Sequence, residues 1–284
     1  MDQIRGLVWN GALNVQIEID KALIIAKAED KPLLFNVRIP RDSYISLYTN
    51  TILNKIKHYL RKDVVDVVTN IWYEANNQVL LWNIPVTTLY DITNGYDSDP
   101  LRVEEQRDNF IRVWKIKMKY GTDLPANHIP IVNGIKQIQT YWMHQWKQAS
   151  FLLNGSSKRV MSLHMNDTQL FWDSVINRSL ESFEEIRNKI IDNVPRNIPI
   201  IIHRIDHPDR LYYSKDTNIE RANSVMTKTI ENLLADHYDS DIIGGIDVLC
   251  QGIVIPHNLT LPLLYSILSS FDGFLHIVLV NRKD

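Results

Sequence analysis

One lysine stands out among the residues whose type and spacing could support chemistry. Lys147 lies in the run YWMHQWKQASFLLN (141–154), whose apolar residues recur at helical spacing. The residues that share one face of this helix, and that we expect to pack inward against another element, are Trp142, Trp146, Ala149 and Leu153. Lys147 lies off this stripe, with Met143 and Phe151 one turn away on either side. An amine there could act as a nucleophile, although the pattern alone favours an ordinary solvated surface lysine.

The remaining candidates for catalysis or metal binding are weaker. Cys250 ends the apolar run IDVLC (246–250) and has no basic neighbour in sequence, so we expect a buried structural cysteine rather than a thioester carrier. His203, Asp206 and His207 lie close together, but strand alternation would keep them from converging, so we expect surface residues and no metal site. We find no nucleophile–base pair at a usable spacing, which disfavours a hydrolase. No catalytic residue, cofactor or metal is therefore expected.

Composition limits the classes of function further. The chain has 284 residues, 45% of them hydrophobic, and a formal net charge of -2, so no strong overall field attracts it to nucleic acid. It has one cysteine and no apolar run long enough to span a membrane. We therefore expect a cytoplasmic protein. Its last residues, VNRKD (280–284), lack the C-terminal glycine of a ubiquitin-like modifier.

The first part of the chain has the element order of a ubiquitin-like fold. A short helix, residues 1–10, precedes the first domain, which we place at residues 11–120. Within this domain the predicted order is strand, strand, helix, strand, strand, short helix and strand. The predicted strands are 12–19, 33–39, 68–74, 79–82 and 109–120; the helices are 43–60, capped by Ser43, and 86–92. A polar loop at 94–108 precedes the last strand.

Helices fill the middle of the chain, and the last third repeats the first pattern. Residues 121–196 predict helices at 134–154, 167–177 and 180–191. Residues 197–284 predict strands at 198–205, 210–214, 246–250, 253–255 and 274–280, with helices at 224–237 and 261–271. The predicted fold is α+β, with two ubiquitin-like (β-grasp) domains flanking a helix-rich domain and a short N-terminal helix.

The run around Lys147 resembles a motif of the fungal autophagy protein 5 family. HQWKQ (144–148), FLLNGSSK (151–158) and MSL (161–163) carry this resemblance most strongly. Further segments that resemble the family are LVWNG (7–11), VRIPR (37–41), WNIPV (82–86), FWDSVI (171–176), CQGI (250–253) and SFDGFL (270–275). The resemblance covers residues 1–280, except for 94–108 and 206–226.

The resemblance implies that the chain is a scaffold and not an enzyme. Lys147 would be joined through an isopeptide bond to the ubiquitin-like autophagy protein 12, with Met143 and Phe151 flanking and presenting the amine. Its other implied partners are the N-terminal helix of the coiled-coil autophagy protein 16 and, transiently, the conjugating enzymes. The assembly would act like a ubiquitin ligase, promoting transfer of autophagy protein 8 to phosphatidylethanolamine during autophagosome formation.

The implied location is peripheral, at the phagophore membrane of the pre-autophagosomal structure. A non-covalent adaptor that binds helical peptides is the alternative interpretation. The two interpretations differ at Lys147, because only conjugation needs that side chain.

Overall fold

The structure, a computed structural model, describes residues 2–25, 32–62, 68–94, 112–191, 195–205, 228–236, 238–239 and 243–281. The elements of the first part of the chain are α1 (Asp2–Asn10), β1 (Ala12–Ile19), β2 (Leu34–Pro40), α2 (Thr49–Ile56), β3 (Ile71–Ala75), β4 (Gln78–Leu80), α3 (Val86–Asn94) and β5 (Val113–Tyr120). A short 3₁₀ turn at Lys21–Leu23 follows β1, and another at Ile45–Tyr48 lies directly before α2.

The first sheet has the strand order β2-β1-β5-β3-β4. Strand β1 is parallel to β5 and antiparallel to β2, so the first and last strands are neighbours in the middle of the sheet. Strand β1 alternates as the sequence predicts: Leu13, Val15, Ile17 and Ile19 are buried. Helix α2 contributes its buried Ile52, Leu53 and Ile56 to the same core.

The helix expected at 43–60 is wrong at both ends. Ser43 does not cap it: its hydroxyl donates to the carbonyl of Pro40, and a 3₁₀ turn precedes the α-helix, which begins at Thr49. The helix ends at Ile56, because Leu60 forms a β-bridge with Ile24 instead of continuing the helix. The expected loop 94–108 and the start of the strand expected at 109–120 lie almost wholly outside the described residues.

Four helices come next along the chain: α4 (Gly134–Asn154), α5 (Lys158–Met161), α6 (Met165–Ile176) and α7 (Leu180–Ile190). The last part of the chain forms β6 (Ile200–Ile205), α8 (Ile230–Ala235), β7 (Ile246–Cys250), β8 (Ile253–Val254), α9 (Leu261–Leu268) and β9 (Leu275–Asn281). Among the described residues, no helix is both long and apolar enough to cross a membrane.

The second sheet repeats the central pairing of the first. Its order is β6-β9-β7-β8, with β6 parallel to β9, which corresponds to the neighbours β1-β5-β3-β4. The strand expected at 210–214 lies outside the described residues. In the described part of 224–237, the helix begins only at Ile230, because Thr229 and Asn232 form a reciprocal capping box.

Candidate functional site

Helix α4 is held by a buried stripe on the side opposite Lys147. Trp142, Trp146, Ala149 and Leu153 are fully buried, as their spacing predicts. The rings of Trp142 and Trp146 lie 4.8 and 5.0 Å from that of Phe171 on α6. The helix ends at Gly155, whose left-handed φ of 72° lets its N–H bond the carbonyl of Phe151. These contacts fix the rotation of α4 about its own axis.

The loop Ser270–Phe274, which precedes β9, covers this stripe. Its Phe271 carbonyl accepts two hydrogen bonds, each 2.8 Å long, from the indole nitrogens of Trp142 and Trp146. Gly273 has a φ of 89°, and a Cβ there would lie 2.9 Å from that of Ala149. The stripe is therefore covered by a loop of the second ubiquitin-like region, in addition to neighbouring helices.

Two buried acidic residues hold the loop Ser270–Phe274 in turn. Asp42, between β2 and α2, accepts hydrogen bonds from the Ser270 hydroxyl at 2.5 Å and the Phe271 N–H at 3.0 Å. Asp272 accepts from the Phe274 N–H at 3.1 Å and from His276 at 3.0 Å. The orientation of α4 thus depends on both ubiquitin-like regions. Sequence reasoning did not identify either acidic residue, although SFDGFL was among the segments of resemblance.

Lys147 projects from the opposite side of α4. Its side chain is half-buried, Met143 is half-buried against the main core, and Phe151 is 51% exposed. The helical spacing puts all three on one strip. Within the described part of the chain, Lys147 forms no salt bridge. The structure therefore places a half-buried lysine on a rigid helix.

Cys250 lies in the core, as predicted. It is fully buried in β7, and burial together with the nearby carboxylates of Asp91 and Asp42 raises the pKa of its thiol well above the ordinary value. Such a thiol is a poor nucleophile, because the thiolate is the reactive form.

His203 is half-buried, so the expectation of a surface residue is wrong. It is part of β6, and its Nε2 lies 3.1 Å from Nδ1 of His276, whose Nε2 lies 3.0 Å from Asp272. One proton lies between the facing nitrogens, His203 Nε2 and His276 Nδ1, and either ring can donate it. Burial, with a smaller contribution from His276, lowers the pKa of His203 to about 3.

The other two members of that predicted group, Asp206 and His207, lie outside the described residues. Over the described ranges, no cluster of three or more His, Cys, Asp or Glu side chains could hold a metal ion.

Comparison with known proteins gives matches along nearly the whole chain. Residues 8–120 match "Autophagy protein ATG5, UblA domain", 135–193 match its "alpha-helical bundle region" and 197–279 match its "UblB domain". Autophagy protein 5 of Saccharomyces cerevisiae (strain S288c) is 38% identical over 285 residues, covering 100% of this chain and 97% of that protein. Autophagy protein 5 of Candida glabrata is 35% identical over 286 residues, covering 98% and 99%.

A solved structure agrees with these matches. The crystal structure of Kluyveromyces marxianus Atg5 superimposes with a TM-score of 0.78 at 28% identity, covering 98% of this chain and 99% of that one. The expected fold class, two ubiquitin-like domains on either side of a helical region, is confirmed. The chain belongs to the autophagy protein 5 family.

Proposed function

We propose that this chain is the non-catalytic acceptor of autophagy protein 12, through Lys147. The observation that carries the proposal is the placement of this lysine. Its amine lies on the accessible side of a helix whose other side is fixed by Trp142 and Trp146. A rigid support favours the reaction because the amine must meet the thioester carbon in one geometry.

The reaction requires only an amine and its position from this chain. The deprotonated Lys147 nitrogen attacks the thioester carbonyl that joins the C-terminal glycine of autophagy protein 12 to its conjugating enzyme. The new carbon–nitrogen bond forms the isopeptide, the carbon–sulfur bond breaks, and the enzyme's thiol is released. The buried Cys250 takes no part in this step.

The conjugate, with autophagy protein 16, then acts as a ligase-like complex. It promotes transfer of autophagy protein 8 to phosphatidylethanolamine at the phagophore membrane, where the chain is peripheral and binds no nucleic acid. Helix recognition by a groove needs accessible apolar side chains. Two such side chains on α1 support binding of the autophagy protein 16 helix: Ile4 is 48% exposed and Leu7 is 74% exposed.

The direct test is reconstitution with the modifier and its activating and conjugating enzymes. Lys147→Arg should abolish the conjugate on a denaturing gel, because arginine keeps the charge but does not act as an amine nucleophile at neutral pH. Lys136→Arg, on the same helix, is the matched control and should conjugate normally. A normal yield from Lys147→Arg would refute the assignment.

The alternative function, a non-covalent adaptor for helical peptides, needs a separate assay. Lys147→Arg titrated calorimetrically with the N-terminal helix of autophagy protein 16 should bind like the wild type, because groove binding and amine acylation are distinct. If binding persists while the wild-type chain is never conjugated, the adaptor function is the correct one.

A further inference from the structure

The histidine of the run HQWKQ lies one turn before Lys147 on α4. His144 comes three residues earlier in the helix. At 100° and 1.5 Å per residue, the two positions are about 60° apart around the helix and about 4.5 Å apart along its axis. Residues at this spacing are neighbours on a helix surface. His144 is therefore the only titratable side chain on the turn that precedes Lys147.

The direction of helical side chains brings the amine of Lys147 toward His144. A long side chain on an α-helix leans toward the N-terminus and covers the turn before its own Cα. For Lys147 that turn carries Met143, which is half-buried, and His144, which is exposed. The aliphatic stem of Lys147 can therefore cover Met143 while the amine extends to the level of the imidazole.

The imidazole of His144 is free to accept a proton. Within the described ranges it forms no hydrogen bond and no salt bridge. Its titratable neighbours, in a shared surface depression or on the 3₁₀ turn and α5 that pack on α4, are Lys136, Tyr141, Tyr48, Lys158 and Arg159. None of these is a carboxylate, so no ion pair from this group holds the ring in its charged form.

The carboxylates of the other elements that contact α4 have partners elsewhere. Asp272, in the loop that covers the buried stripe, bonds His276. On α6, Asp167 pairs with Lys189 and Asp173 accepts from Gln169. The ring of His144 is thus left to a proton from solvent or from the neighbouring amine.

A histidine at this spacing distinguishes Lys147 from the other helical lysines. The α-helices of the described residues carry Lys55, Lys136, Lys147, Lys158 and Lys189. Of these, Lys147 alone has a histidine three or four positions earlier. Lys136, on the same helix, has Asn133 and Val132 there, and neither is a base. A base beside one lysine would favour acylation of that lysine over the others.

We propose that His144 accepts the proton that Lys147 loses as it attacks the thioester. This inference rests on the proposed function and adds a base to it. The Lys147 nitrogen forms the bond to the thioester carbon and becomes positively charged, and His144 takes one of its protons. The carbon–sulfur bond then breaks, and the imidazolium gives its proton to the released thiolate. We expect a rate gain of about tenfold, less than a buried general base supplies, because the ring is exposed.

The pH dependence of conjugation tests this role. The rate is measured with thioester-loaded conjugating enzyme and a saturating concentration of this chain, so that it reports kcat and not KM. The quantity compared is the ratio of the wild-type rate to that of His144→Ala, in which the titration of the enzyme cancels. A protonated imidazole cannot accept, and imidazoles usually become protonated as pH falls from about 7 to 6. The ratio should therefore be about ten at roughly pH 7.5 and near one at roughly pH 5.5.

Two variants serve as controls for this measurement. His144→Gln keeps hydrogen-bonding groups but is no base, so it should behave like His144→Ala. His58→Ala removes an exposed imidazole just after α2 and should match the wild type at every pH. Alanine is a better helix former than histidine, so His144→Ala should keep the fold.

Three outcomes would overturn the inference. A ratio near one at every pH would mean that His144 has no role. A ratio above one that does not change with pH would indicate a structural role or a contact with the enzyme. A ratio that grows as pH falls would show that the charge of the imidazolium, and not its basicity, affects Lys147.

Lys147→Arg separates this inference from the proposed function. Conjugation of that variant would refute the acceptor assignment and the role of His144 with it. An unconjugated Lys147→Arg protein, together with a His144→Ala rate equal to that of the wild type, would refute only the role of His144.

Discussion

Replacement of Asp42 by alanine should destabilise the protein through a contact between distant parts of the chain. The Asp42 side chain is fully buried, and one of its oxygens accepts hydrogen bonds from the Ser270 hydroxyl and the Phe271 N–H. Each buried donor left without an acceptor costs about 1–3 kcal/mol. The other Asp42 oxygen has no partner, so relief of its desolvation offsets part of the loss. We expect a net loss of about 3 kcal/mol in the free energy of unfolding.

Urea unfolding followed by tryptophan fluorescence measures this loss. With a slope of roughly 3 kcal/mol/M, the midpoint of Asp42→Ala should fall by about 1 M. Asp123→Ala removes the same group from an exposed position and should leave the midpoint unchanged. A midpoint for Asp42→Ala within about 0.2 M of the wild type would show that Asp42 does not hold the loop Ser270–Phe274.

Three further predictions concern stability. Gly273→Ala should cost about 2–4 kcal/mol in thermal or urea unfolding, because it combines an unfavourable φ with a 2.9 Å contact to Ala149; Gly6→Ala, where nothing lies within 4 Å, should cost nothing. Burial raises the pKa of Asp91 to about 7, so the folded state holds its proton more tightly than the unfolded chain and stability falls as pH rises from about 4 to 7. Asp91→Asn should remove this loss and gain roughly 2–4 kcal/mol over the wild type by pH 7, and a constant difference across that range would refute the burial argument. Cys250→Ser should conjugate normally but lose about 1–3 kcal/mol for a buried hydroxyl without a partner, and a folded variant that cannot be conjugated would restore a thioester role.

The elements whose packing is set by local pattern were predicted well. Helix α4 has the predicted bounds because its tryptophan stripe is periodic and Gly155 supplies the left-handed residue that ends it. Strands β1 and β7 also have their predicted bounds. In contrast, the pattern from Ser43 to Leu60 was read as one helix, because nothing local shows that Leu60 pairs with Ile24.

The contacts that support the candidate site could not be predicted, because their partners are distant in sequence. Asp42 and Ser270 are 228 positions apart, and His203 and His276 are 73 apart. A buried acidic residue is identified only by the donors around it, and these come from another domain. Lys147 itself was identified by the resemblance of HQWKQ, since its helical spacing alone fits a solvated surface lysine equally well.

Mass spectrometry of the purified conjugate tests the acceptor assignment most directly. A tryptic digest of the reconstituted conjugate should contain one branched peptide, with the C-terminal fragment of autophagy protein 12 attached to Lys147 and no cleavage after that residue. Lys136 and Lys158, the nearest lysines before and after Lys147 in the sequence, serve as internal controls and should be cleaved normally. A branch on another lysine, with Lys147 cleaved normally, would contradict the account.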